Sequence, residues 1–144
     1  MTQRNIYITE NDKKKLRGLF TKTLGMSSND LNNMKGLLDE IERAEVIRDD
    51  NIDENVITMN STVVVKDLDT DKVYEYTIVY PEYADSTKNK ISVLAPVGTA
   101  LLGYKAGDIV EWKVPAGKRR LLVEEIIFQP EAAIKHDLVS KQAK

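Results

Sequence analysis

The sequence predicts an α+β fold: a short antiparallel helical hairpin, of the coiled-coil kind, followed by an antiparallel sheet wrapped on a short helix. Two observations carry this. Apolar residues recur at helical spacing up to about residue 47 and then alternate strand-like from Ser61 onward. Between the two lies the polar stretch "RDDNIDEN", residues 48–55, which reads as a linker. The division expected is therefore residues 1–50 for a helical arm and 51–144 for the sheet with its tail.

The first helix opens at Thr9, with Asp12 three residues on as in a capping box, and continues through Leu16, Leu19, Phe20 and Leu24 to a stop at Gly25. Ser27 and Asp30 repeat the start signal. Leu31, Met34, Leu38 and Ile41 then form a one-sided stripe that runs on toward Ile47. Asp39, Glu40, Glu42 and Glu45 lie on or near the opposite face, so the two helices are expected to pack on each other with wet outer faces. Each helix has about fifteen residues, which gives the arm a reach of roughly 20 to 25 Å. The linker holds no glycine or proline to stiffen it, so some swing of the arm is expected.

Five strands follow: "STVVVKDL", "KVYEYTIVY", "KISVLAP", "DIVEWKV" and "RRLLVEEIIF". "DLDTDK" and "PAGK" supply tight turns. Thr99 to Leu102 make a helical turn stopped by Gly103, and a helical start is expected after Pro130.

Composition narrows the function. A chain of 144 residues fits one domain, or a core domain with a small attachment. The formal charge of -2 gives no general attraction to nucleic acid, so such a role would pass through a protein partner or a local patch. With Cys 0 there is no disulfide, thiolate nucleophile or cysteine zinc site. No secretory leader and no membrane-length apolar run is visible, and a cytoplasmic protein with no membrane partner is expected.

The glycine-rich stretch "ISVLAPVGTALLGYKAGDIVEW" resembles a phosphate loop at first sight, but it lacks both G-x-G-x-x-G and the Gly-Lys-Ser/Thr ending. In "VVVKDLDTD", Asp67, Asp69 and Asp71 fall between antiparallel strands rather than at a parallel strand end. As a calcium loop the stretch has Lys72 at the sixth place and Ile78 at the twelfth, so a solvated turn is expected. His136 is the only histidine and lies in the tail, which leaves no histidine pair for metal. No catalytic residue, metal or cofactor is assigned. Trp112 reads as a core anchor, and the even-spaced Tyr74, Tyr76 and Tyr80 share one sheet face, core or recognition surface.

The segment "EYTIVYPEYADSTKNKISVLAPVGTALLGYKAGDIVEW" resembles the carboxy-terminal domain of the Gre-type transcription elongation factors. Closer still is the pattern of the Rnk branch, the regulators of nucleoside diphosphate kinase, matched by "VITMNSTVVVKDL", "IVYPEYADS", "ISVLAPVGTALLG" and "FQPEAAI" across about residues 56 to 134. The resemblance implies an FKBP-like sheet domain without isomerase activity, behind a helical arm. It implies docking on the rim of the secondary channel of bacterial RNA polymerase through Leu94, Ala95, Pro96, Val97 and Gly98, by a monomer that reads no nucleic-acid sequence. Gre factors carry an acidic residue two places before the docking proline; Leu94 stands there here, so a charge-assisted contact becomes an apolar one. Cleavage factors also hold two carboxylates at the arm tip that help bind a magnesium ion. This tip, "LGMSSNDLNN", offers Asp30 alone. The function expected is a non-catalytic polymerase regulator competing with Gre-type factors; the alternatives are an active transcript-cleavage factor and a peptidyl-prolyl isomerase.

Overall fold

The computed structural model describes residues 6–21, 27–114 and 117–134. Strand β1 (Tyr7–Thr9) runs directly into helix α1 (Glu10–Leu19); helix α2 (Ser28–Arg43) leads to strand β2 (Glu45–Ile47). Strands β3 (Thr62–Asp67), β4 (Val73–Val79) and β5 (Lys90–Ser92) follow, then helix α3 (Pro96–Leu101), and β6 (Ile109–Val114) and β7 (Gly117–Phe128) complete the main sheet.

Both helices depart from the sequence expectation at their ends. Helix α1 is ten residues long and is capped at Phe20; Leu24 and the expected stop Gly25 lie outside the described residues. Helix α2 stops at Arg43 instead of continuing to Ile47, because Glu45–Ile47 pairs in parallel with Tyr7–Thr9. The buried stripe of α2 is Met34, Leu37 and Ile41, with Leu31 and Leu38 half-buried. Its face is thus rotated from the one the leucine spacing suggested.

The helices also do not simply pair with wet outer faces. Leu16, Met34, Leu37 and Ile41 share one apolar cluster with Ile57, Met59, Val63, Ile78, Leu101 and Val123 of the sheet and its flanks. A ten-residue helix with one fully buried leucine buries too little against another helix to be stable alone, and the sheet supplies the missing surface. A direct link between the two helices is an exposed ion pair, in which the Arg17 guanidinium donates to both Glu42 carboxylate oxygens.

The main sheet has the order β5-β4-β3-β7-β6. Central β3 alternates half-buried and buried residues, turning Val63, Val65 and Asp67 inward. Three of its pairings are antiparallel as expected, but β4 and β5 are parallel. Tight 3-10 turns at Pro81–Tyr83 and Ser86–Lys88 bring the chain back to start β5 alongside β4.

The acidic turn between β3 and β4 is only partly solvated. Asp67 is buried: its carboxylate accepts from the backbone N–H groups of Asp69 and Thr70 and meets Arg119 at 3.1 Å. Asp69 and Asp71 are exposed. Tyr74 and Tyr76 stack with ring centroids 5.7 Å apart and are half-buried beside the core, as is Tyr80. In β6, Trp112 pairs with Arg119 through its backbone, but its side chain lies outside the described set, as do Pro115, Ala116 and His136.

The linker is tied down. Ile52 is buried, and the Gln129 amide donates to the carbonyls of Asp53 and Val56. Ala106 N–H donates to the Asn55 carbonyl, and Asn11 N–H to the Asp49 carboxylate. A linker pinned this way cannot swing freely while these bonds hold.

Candidate functional site

The five residues from Leu94 to Gly98 form a corner between β5 and α3. Pro96 is the first residue of α3, where its missing N–H leaves no helical bond unmade and its fixed φ suits the helix. The preceding turn is closed twice: Leu94 N–H donates to the Ser92 hydroxyl at 3.0 Å, and Ala95 N–H to the Ser92 carbonyl at 3.0 Å. The Thr99 hydroxyl then donates back to the Val93 carbonyl at 2.5 Å.

Gly98 holds the corner tight for a steric reason. It lies within α3 and not at an end of the helix, and a Cβ there would collide with the Ser92 backbone carbonyl. Gly103 does a different job: its φ of +87° reverses the chain, and a Cβ would meet the Ile6 side chain at 2.6 Å.

The corner therefore sorts its residues. Leu94, 4% exposed, and Gly98 face inward; Ala95 and Val97 are half-buried, and Pro96 is exposed. Beside it runs a groove of about 750 Å³, whose opposite wall is Asn29, Asn32 and Asn33 of α2, with Pro81 at one side. Every described residue lining it is uncharged. Sequence reasoning missed these asparagines, although their i, i+3, i+4 spacing places them on one face of α2. Asp30, the expected arm-tip acid, is the third residue of α2, and its side chain lies outside the described set. Among the described residues no group of three or more His, Cys, Asp or Glu is placed to hold a metal ion, and no helix is long and apolar enough to cross a membrane.

A second polar assembly lies where the helices meet the sheet. Thr9 caps α1 by accepting from Asp12 N–H at 3.0 Å. The Asp12 carboxylate accepts from Met59 N–H, also at 3.0 Å, and has a hydrogen bond from the Thr9 side chain. Residues 58–61 form a turn with Asn60 in the left-handed region, in which the Ser61 hydroxyl accepts from Thr58 N–H. The Thr58 hydroxyl donates to Glu131 at 2.7 Å. The segments "TMNS" and "QPEA", far apart in sequence, thus meet at one junction with α1.

Residues 52–128 match the family described as transcription elongation factor GreA/GreB, C-terminal domain, and residues 4–47 match the Rnk N-terminus. The chain belongs to the GreA/GreB family. Its arrangement, an Rnk-type amino terminus before a GreA/GreB carboxy-terminal domain, identifies the Rnk branch. The chain is 40% identical over 95 residues to the regulator of nucleoside diphosphate kinase of Escherichia coli K12, covering 65% of this chain and 70% of that protein. It is 45% identical over 86 residues to the transcription elongation factor GreA of Clostridioides difficile, over 60% of this chain but 54% of that factor. A solved GreA/GreB elongation factor from Nitrosomonas europaea superposes with a TM-score of 0.70 at 35% identity, covering 88% of this chain and all of that one. The mixed architecture with a mostly antiparallel sheet is therefore a GreA/GreB-like fold, and the chain is a transcription-associated factor.

Proposed function

We propose that this protein binds bacterial RNA polymerase at the rim of the secondary channel through the Pro96 corner, does not stimulate transcript cleavage, and competes with Gre-type factors for that rim. The observation that carries the reading is the corner itself: exposed Pro96 between half-buried Ala95 and Val97, held by the Ser92 and Thr99 hydroxyls on the end of a sheet. Binding groups held rigidly in advance lose little entropy on docking. An uncharged corner beside a groove whose described lining is uncharged suits a contact that is apolar at its centre.

The arm supports the second half of the proposal. At about 1.5 Å per residue, α1 and α2 span roughly 15 and 24 Å. Apolar side chains of both sink into the sheet's core, and Asp30 is the sole acid from Arg17 to Asn33. Holding a metal ion at a distant active centre takes a long arm and at least two acids. We take residues 1–50 as this arm and 51–144 as an FKBP-like, polymerase-facing body, acting as a monomer in the cytoplasm.

The test is binding of purified protein to RNA polymerase, with Pro96→Ala combined with Val97→Asp. A carboxylate at an apolar contact is desolvated without a partner, so affinity is expected to fall about tenfold or more. The variant should unfold close to the parent. Unchanged affinity, or a fold that collapses, contradicts the assignment.

A further inference from the structure

We infer that Asp12 is a pH-sensitive latch that fastens the helical arm to the sheet body. Its place in the fold makes it one. Asp12 is 4% exposed, lies in the first turn of α1, and accepts from the backbone N–H of Met59, 47 residues away on the other side of the linker. This is the hydrogen bond through which α1 grips the turn that starts the sheet.

The groups around the carboxylate come from every element packed there, and most are acidic. Asp49 bears on it from the segment after β2 and Glu131 from the helical turn at residues 130–134; Asp50 and Lys15 line the same cavity, Lys15 being the one cation among the described lining residues. The phenol of Tyr80, after β4, is held well above the usual tyrosine range by burial and then by Asp12 and Glu131; its buried hydroxyl has no hydrogen-bond partner among the described residues. The cavity, of about 390 Å³, opens beside Asp12 and gives protons a route in.

Burial is the largest influence on Asp12; with Glu131 and Asp49 adding to it, it outweighs the hydrogen bonds from Met59 N–H and the Thr9 side chain, and the carboxyl is raised from 3.8 to about 7. Burial and acidic neighbours both disfavour the charged form. The sign follows. The folded protein binds a proton here more tightly than the unfolded chain, so the contribution of Asp12 to stability is greatest below about pH 3.8, falls as pH rises, and reaches its low plateau above about pH 7. Near pH 7 the buried carboxyl is half-protonated: protonated Asp12 keeps α1 seated, and the ionised form, beside Glu131 and Asp49, loosens it, so most of the loosening is complete by neutrality. The arm's seating on the body thus weakens as pH rises toward neutrality and changes little beyond it.

The test is a titration of the intact protein followed by amide NMR from pH 5.5 to 8.5, with hydrogen exchange of the α1 amides corrected for intrinsic rates. The Met59 amide should titrate with a midpoint near 7, and corrected exchange in α1 should rise several-fold from pH 5.5 to about 7 and level off above it. Asp12→Asn should abolish both. Glu131→Gln keeps an acceptor for the Thr58 hydroxyl and removes one negative charge, so it should move the midpoint down without changing the fold. That variant keeps the idea testable if Asp12→Asn unfolds. A Met59 amide that does not titrate in this range, a midpoint unmoved by Glu131→Gln, or the same titration in Asp12→Asn overturns the latch.

Discussion

The Pro96 corner and the Asp12 junction are both tight turns closed by side chains, but they spend different chemistry on the same problem. At the corner, the hydroxyls of Ser92 and Thr99 close the turn, and both are neutral at every accessible pH. At the junction, a backbone N–H is satisfied by a buried carboxylate among other acids. Neutral closure makes a surface of constant shape, suited to meeting a partner. Charged closure makes a joint whose strength depends on its surroundings. The GreA/GreB region thus carries the fixed feature, and the seam between it and the Rnk-type region carries the variable one.

Gly98→Ala should break the corner most severely. Its Cβ would press on the Ser92 carbonyl, which is backbone and cannot step aside, and overpacking of that kind costs about 3 kcal/mol. Denaturant unfolding measures the loss directly. Gly103→Ala attacks the other region: the left-handed φ and the collision with Ile6 together should cost about 2 kcal/mol. Because Tyr7 N–H donates to the Gly103 carbonyl, exchange of the Tyr7 amide should accelerate while β4 and β7 keep their protection.

Smaller effects sharpen the contrast. Pro96→Ala alone should change stability by no more than about 0.5 kcal/mol, since the residue is exposed and donates no bond, so any loss of polymerase binding would belong to the surface and not to the fold. Glu42→Gln should change least. Arg17 holds the Glu42 carboxyl below its usual range, so the pair's contribution is present at neutral pH and fades on acidification, the opposite direction from Asp12. Both partners are exposed, and salt should erase the difference in melting between Glu42→Gln and the parent.

Much of the sheet was legible because alternation and turn chemistry are local signals. Val63 and Val65 announce an inward face, and "DLDTDK" announces a hairpin. The parallel pairing of β4 with β5 was not legible, since it depends on how two 3-10 turns steer ten residues. The strand Glu45–Ile47 was hidden for a similar reason. Its strand partner is Tyr7–Thr9, and without it Val46 and Ile47 read as the end of a helical stripe. At the corner, the sequence pointed to all five residues but could not divide Leu94 and Gly98, turned inward, from Pro96, turned out. Asp12 was read as a local cap because a capping box is a four-residue pattern. Its bond to Met59 spans the chain, and nothing near Asp12 foretells it.

The central claim is that this chain occupies the channel rim without supporting cleavage. The direct measurement uses a backtracked elongation complex with 3′-labelled RNA and an added Gre-type factor, with and without this protein. The protein alone should release no short 3′ fragments faster than the polymerase does unaided. It should slow the cleavage stimulated by the Gre-type factor, and Pro96→Ala with Val97→Asp should remove that inhibition. Faster fragment release by this protein alone, abolished by Asp30→Asn, would contradict the account.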